Sequence, residues 1–188
     1  MPQVRICQYC SRLASTLPSC RRATHHFFSY LCFFTAQLFY CIAMYSDEFF
    51  MREALRQATE AAQKDEVPVG AVVVCQNRII ARAHNLTETL QDPTAHAEMQ
   101  AITAAAHALG GKYLTDCTLY VTLEPCPMCA AALRWAQLKT LVYGASDPKR
   151  GYSTISRELL HPKTEVISDI LRGGASVLLQ DFFQKKRS

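Results

Sequence analysis

The sequence predicts an α/β protein whose mixed sheet is covered by helices on both faces. Three observations carry this. From Met44 onward, apolar residues switch repeatedly between helical and strand spacing. A hairpin signal, Gln76-Asn77-Arg78, separates two short apolar runs. The chain has 188 residues, 49% of them hydrophobic, which suits one well-buried domain and is short for two.

Taken in order, Ser46-Asp47-Glu48 is a helix-start signal, and the helix it opens runs to about Lys64 with Phe50, Ala54, Ala58 and Ala61 on one face. Val67-Pro68-Val69-Gly70 leads into a strand over Ala71–Cys75, and the hairpin turn returns the chain through Ile79–His84. The Asn85–Asp92 loop precedes a helix expected from about Thr94 to Leu109, stopped by Gly110-Gly111. Thr118–Leu123 reads as a strand, Pro127–Leu138 as a helix and Thr140–Tyr143 as a strand. After the 146–151 loop come a short helix, a strand near Glu165–Ser168, and a last helix ending in Lys185-Lys186-Arg187. No internal repeat is visible.

Residues 1–43 are unlike the rest. They lack Asp, Glu, Lys and Gly, and residues 27–43 form an uncharged, aromatic-rich run. The expected division is therefore an N-terminal extension, 1–43, and a folded domain, 44–188. The extension is read as unstructured or as translation upstream of a true start at Met44. Two other readings stand beside it. A membrane or signal segment would use the apolar run behind Arg21-Arg22. A small zinc knuckle would use Cys7, Cys10, His25 and His26, though no second well-spaced pair completes it.

Charge follows the same boundary. Four of the 20 Lys and Arg precede Met44 and all 16 Asp and Glu follow it, so the net +4 belongs to the extension and the domain is neutral. An RNA-binding surface on the domain must then be a local patch. Of nine cysteines, five lie before Met44; Cys75 and Cys117 sit in or beside apolar strand runs, where core packing is the expectation. No disulfide framework emerges, which favours a reducing, cytoplasmic setting.

His96-Ala97-Glu98 and Pro125-Cys126-Pro127-Met128-Cys129 carry the chemistry. His96, Cys126 and Cys129 are candidate ligands of one zinc ion, and three protein ligands leave the fourth tetrahedral position for water, the catalytic arrangement. Cys126 and Cys129 share one face of a helix's first turn, with Pro127 at the first helical position, where its missing N–H costs nothing. That helix end favours thiolates. Glu98, two residues from His96, reaches the same centre only across an irregular helix start, which puts a carboxylate beside the water as its proton acceptor. A redox Cys-x-x-Cys leaves His96 and Glu98 without a role. A closed structural zinc needs a fourth ligand, for which Cys117 and His84 lack the spacing.

His-x-Glu followed by Pro-Cys-x-x-Cys is the known signature of zinc nucleobase deaminases, and at these residues the chain resembles the cytidine-deaminase-like superfamily. Within it the chain is similar to the bacterial tRNA-specific adenosine deaminases (TadA type). The marks are Glu66-Val67-Pro68-Val69-Gly70-Ala71-Val72, His84-Asn85, Asp92-Pro93-Thr94-Ala95 ahead of His96, Leu123-Glu124-Pro125-Cys126, Val142-Tyr143-Gly144-Ala145, and Phe182-Phe183 with its basic end. The likeness runs from about Met44 to the C-terminus.

The resemblance implies a three-layer α/β/α sandwich with a roughly five-stranded mixed sheet. It implies one Zn2+ per subunit on His96, Cys126 and Cys129, with Glu98 as proton shuttle. It also implies that Asn85 and the Ala97 backbone N–H bind the target base. The implied reaction is hydrolytic conversion of a tRNA wobble adenosine to inosine, zinc-activated hydroxide attacking C6, by a cytoplasmic homodimer on the anticodon stem-loop. No membrane role is expected. Lys149, Arg150, Lys185, Lys186 and Arg187 are the candidate RNA contacts, with solvated surface charge as the alternative for each. Leu86 stands where the family often has Arg, and Ala131-Ala132 where Gly-Ala is commoner. A small-molecule deaminase of guanine or cytosine on the same fold is the second reading. A non-catalytic, zinc-stabilised RNA-binding module is the third, and Glu98 argues against it.

Overall fold

The computed structural model describes residues 46–187, so every expectation for the 1–43 extension lies outside the described residues. The described residues build four helices and a five-stranded sheet in the order β2-β1-β3-β4-β5. Helix α1 is Asp47–Gln63, capped by Ser46, whose side chain accepts from the Phe49 N–H. Strands β1 (Gly70–Cys75) and β2 (Arg78–His84) form an antiparallel hairpin. Gln76 and Asn77 turn it with φ of 48° and 64°, the two left-handed residues of a tight hairpin turn. Helix α2 is Ala97–Leu109, β3 Cys117–Leu123, α3 Pro127–Trp135 and β4 Thr140–Ala145. Two single 3-10 turns, Tyr152–Thr154 and Arg157–Leu159, stand where one short helix was expected. Strand β5 (Glu165–Ile167) and helix α4 (Arg172–Lys185) complete the domain.

β1 runs antiparallel to β2 and β3, while β3, β4 and β5 are parallel. β1 lies inside the sheet and is buried on both faces, which is why its sequence is an unbroken apolar run. Ala71 and Val73 pack toward α2 and α3 with Leu119, Val121, Ala101, Leu133 and Leu141. Val72 and Val74 pack on the opposite face with Phe50, Met51, Ala54, Tyr120 and Val142. The result is the three-layer arrangement. At Gly70 α1 comes so close that an added Cβ would lie 2.1 Å from the Ala54 carbonyl oxygen, so only glycine fits.

Two helix boundaries differ from expectation. α2 starts at Ala97 rather than near Thr94, because Asp92 accepts from the Thr94 N–H (2.8 Å) and hydroxyl (2.7 Å) and holds that stretch as a turn. α3 ends at Trp135 rather than Leu138. Gln137 takes the left-handed conformation at φ 51°, and the N–H groups of Leu138 and Gln137 return to the carbonyls of Leu133 and Arg134. This is a Schellman cap built without glycine, so the sequence carried no stop signal. Leu138, 1% exposed, is buried by that turn.

Candidate metal centre and active site

His96 is the last extended residue before α2 (φ −70°, ψ 155°), Cys126 the extended N-cap of α3, and Cys129 lies one turn inside α3. His96 Nδ1 lies 3.7 Å from Cys126 Sγ and 3.5 Å from Cys129 Sγ. All three ligand atoms fall within 4.8 Å of one another. A tetrahedral zinc with ordinary Zn–S and Zn–N bonds places sulfur and nitrogen about 3.6 Å apart, so the trio fits that ion. The protonation of the donors agrees. The Cys126 thiol is held down to about 4, chiefly by its hydrogen bond from Cys129 and then by His96. Cys129, donating that bond and buried, is pushed up. His96 is raised by its bond to Cys126. A cation held between the sulfurs would displace the Cys129 proton and keep both as thiolates. The N-termini of α2 and α3 meet here, and both favour negative charge.

Glu98 is the second residue of α2 and only 3% exposed. The extended His96 followed by the first helical turn lets both side chains reach one centre. Burial pushes the Glu98 carboxyl up to about 7, against a hydrogen bond from its own backbone N–H and the attraction of His96. The neighbouring Cys129 thiol also favours the charged form, by the smallest of these effects. A carboxyl balanced near neutrality beside a three-ligand centre can take up and return a proton in one cycle.

Asn85 follows β2 and is buried. Its Oδ1 accepts the Ala97 N–H at 2.8 Å. The Ala97 donor, expected to help read the base, is therefore given to Asn85, and the amide NH2 is that side chain's remaining donor group. The next residue, Leu86, donates its N–H to the Ala95 carbonyl at 3.0 Å, which ties the loop to the start of α2.

Two further carboxylates organise the surroundings, and sequence reasoning assigned them no role. Glu66 is 0% exposed and accepts from the Thr87 hydroxyl (3.0 Å), the Glu88 N–H (3.1 Å) and the Thr89 N–H (2.7 Å), pinning the loop that begins at Asn85. Burial works to raise its carboxyl, but these donors outweigh it and hold the group below its ordinary range. Glu124, two residues before Cys126, accepts from the N–H groups of Asp147 (3.0 Å) and Ser153 (3.1 Å). The available signal was a charged residue inside each otherwise apolar motif.

The candidate RNA contacts fall in two places. Lys149 and Arg150 are exposed on the loop rooted by Glu124, their N–H groups given to Asp147 Oδ1. Lys185, Lys186 and Arg187 end α4, where Lys186 is paired with Asp65 and lies 5.5 Å from the Phe182 ring centre. His84 is engaged with Lys64 and Gln57, away from the metal ligands. A cavity of about 1000 Å³ lies beside α3 and the 3-10 turns, and no metal ligand lines it. No described helix is long and apolar enough to cross a membrane.

Residues 44–145 match the model of the cytidine and deoxycytidylate deaminase zinc-binding region. The chain is 46% identical over 149 residues to the tRNA-specific adenosine deaminase of Bacillus subtilis (strain 168), covering 77% of this chain and 92% of that protein. A solved structure from work on A-to-I editing by tRNA deaminases at the wobble position of transfer RNA aligns with TM-score 0.65 and 43% identity, over 69% of this chain and 98% of that one. The guanine deaminase of Bacillus subtilis aligns with TM-score 0.51 and 44% identity, over 53% of this chain and 64% of that one.

Proposed function

We propose, for a chain that belongs to the zinc-binding cytidine and deoxycytidylate deaminase family, that it converts the wobble adenosine of a tRNA anticodon to inosine by hydrolytic deamination. The observation that carries the chemistry is Glu98, a buried carboxyl balanced near neutrality against a His-Cys-Cys centre at two helix N-termini. The substrate class is supported by 46% and 43% identity held over 92% and 98% of two tRNA adenosine deaminases, whereas the guanine deaminase of Bacillus subtilis keeps comparable identity over only 64% of its length.

On this reading His96, Cys126 and Cys129 hold one zinc per subunit. When bound, zinc supplies the Lewis acidity that makes water a nucleophile at neutral pH. Glu98 accepts a proton from the attacking water and passes protons to the adenine ring nitrogen and then to the departing amine, so that adenosine and water become inosine and ammonia. Asn85, with its oxygen fixed by Ala97, offers its amide NH2 to an acceptor on the flipped base. Glu66 and Glu124 hold the loops on either side in register for it.

The working unit proposed is a cytoplasmic homodimer that takes the anticodon stem-loop. Trp135, 82% exposed at the end of the helix that carries both cysteine ligands, supports a partner surface there. Free thiols at Cys75, Cys117, Cys126 and Cys129 support a reducing compartment. Lys149, Arg150, Lys185 and Arg187 are proposed as phosphate contacts, with Lys186 first having to leave Asp65.

The test presents the zinc-loaded protein with an anticodon stem-loop bearing a wobble adenosine, alongside free guanine, cytosine and adenosine. Inosine formed in the RNA alone is the expected result. Turnover of a free base with the RNA untouched overturns the substrate and favours the small-molecule reading.

A further inference from the structure

Two cysteines that the deamination chemistry does not use face each other across the sheet. Cys75 ends β1 and Cys117 begins β3, and the antiparallel register sets them directly opposite. The kind of pair follows from the neighbouring strand. The Asn85 N–H donates to the Val69 carbonyl (3.2 Å), one step beyond the Gly70–His84 pair. Odd-numbered residues of β1 therefore turn their backbone groups to β2, and even-numbered ones to β3. Cys75 is odd, and the Cys117 N–H goes to the Leu114 carbonyl (3.0 Å) rather than across the ladder. The two thus form a non-hydrogen-bonded pair, the closer kind, with Cα atoms about 4.5 Å apart in such ladders. That lies within the span of about 4.4–6.8 Å that disulfides bridge. Both side chains point to the same sheet face, packed on the larger core.

We infer that Cys75 and Cys117 are a modification site, a dithiol that a small-molecule disulfide such as glutathione disulfide converts reversibly to a cross-strand disulfide. The roles within the pair follow from burial. Cys75 is half-buried and reachable, whereas Cys117 is fully buried and its thiol is pushed up to about 12, by burial first and by the neighbouring Cys75 next. Cys75 sulfur attacks one sulfur of glutathione disulfide, breaking that S–S bond and releasing one glutathione thiol. Cys117 sulfur then attacks the Cys75 sulfur of the mixed disulfide, forming the cross-strand bond and releasing the second glutathione. The two thiol protons leave on the two glutathiones, and the pair loses two electrons. An excess of reduced dithiol runs the exchange backward.

The experiment incubates the full-length, zinc-loaded protein with glutathione disulfide, blocks remaining thiols with N-ethylmaleimide, and digests with trypsin. Expected is a linked pair of peptides, residues 65–78 with 113–134, weighing about 2 Da less than the sum of the two peptides with N-ethylmaleimide on Cys126 and Cys129, as oxidation of the other two thiols requires. Fragmentation should place the bond on Cys117 and not on Cys126 or Cys129. Dithiothreitol should abolish it, and Cys75→Ser should prevent it. Glutathione retained on Cys75 without transfer, a bond from Cys75 to Cys126 or Cys129, or both cysteines recovered as N-ethylmaleimide adducts would each overturn the inference.

Discussion

Glu66 and Glu98 are both shut off from water, 0% and 3% exposed, yet their protonation is driven in opposite directions. Glu98 stands at the start of α2 with little beyond its own N–H, His96 and the Cys129 thiol to stabilise its charge, and burial lifts it to about 7. Glu66 lies just before β1 and collects two backbone N–H groups and hydroxyl donors from the 87–89 loop, so it stays ionised below its ordinary range. The difference teaches that burial alone does not decide what a carboxylate is for. The number of donors aimed at it does: a saturated carboxylate is a structural tie, and an undersaturated one is available to move protons.

Replacing Glu98 with Gln should give the largest effect. Turnover is expected to fall by about two to four orders of magnitude, the usual contribution of a positioned acid–base group. Zinc content, measured by elemental analysis, should be unchanged. Unchanged turnover would break the division of labour between the two glutamates.

Glu66→Gln should act in the other register. It replaces an ionised acceptor of several bonds with a neutral amide and leaves at least one loop N–H poorly matched, at a cost of about 1–3 kcal/mol in urea unfolding. Because the loop carries Asn85, KM for the stem-loop should rise more than kcat falls. A collapse of kcat with KM unchanged would count against a positioning role.

Acid titration sharpens the contrast. The Glu66 carboxyl is depressed in the folded state, so the stability it contributes is present above its unfolded value and is lost as pH falls through the folded one. Glu66→Gln should therefore flatten the loss of stability in the pH range below about 4.3, the unperturbed Glu value. A wild-type slope retained in the variant would place the acid sensitivity elsewhere. The smallest change, Thr87→Val, removes one hydroxyl donor and is expected to cost about 1 kcal/mol while turnover stays near wild type.

Each half of the metal centre was readable in the chain because its spacing is local, while the joining of His96 to Cys126, 30 residues on, came from the likeness to the deaminase signature. Cys126 and Cys129 are one turn apart, and His96 and Glu98 straddle a helix start. The order of strands and helices was readable for the same reason, through periodicity and the Ser46 and Gly110 caps. The start of α2 was misread because one side chain, Asp92, diverts Thr94 into a turn. The end of α3 was misread because Gln137 takes a conformation usually left to glycine. The tie between Glu66 and Thr89 spans 23 residues, and that between Lys186 and Asp65 spans 121, so neither shows in any local pattern.

By itself, then, the sequence determined the two halves of the candidate metal-binding set, a carboxylate beside them and the α/β alternation, because each depends on residue chemistry and short-range geometry. Only the tertiary structure decided that Ala97 serves Asn85, that Glu66 is a tie while Glu98 is titratable, and that Cys75 meets Cys117. Those outcomes rest on which groups folding brings together and which it strips of water, and both are properties of the packed chain.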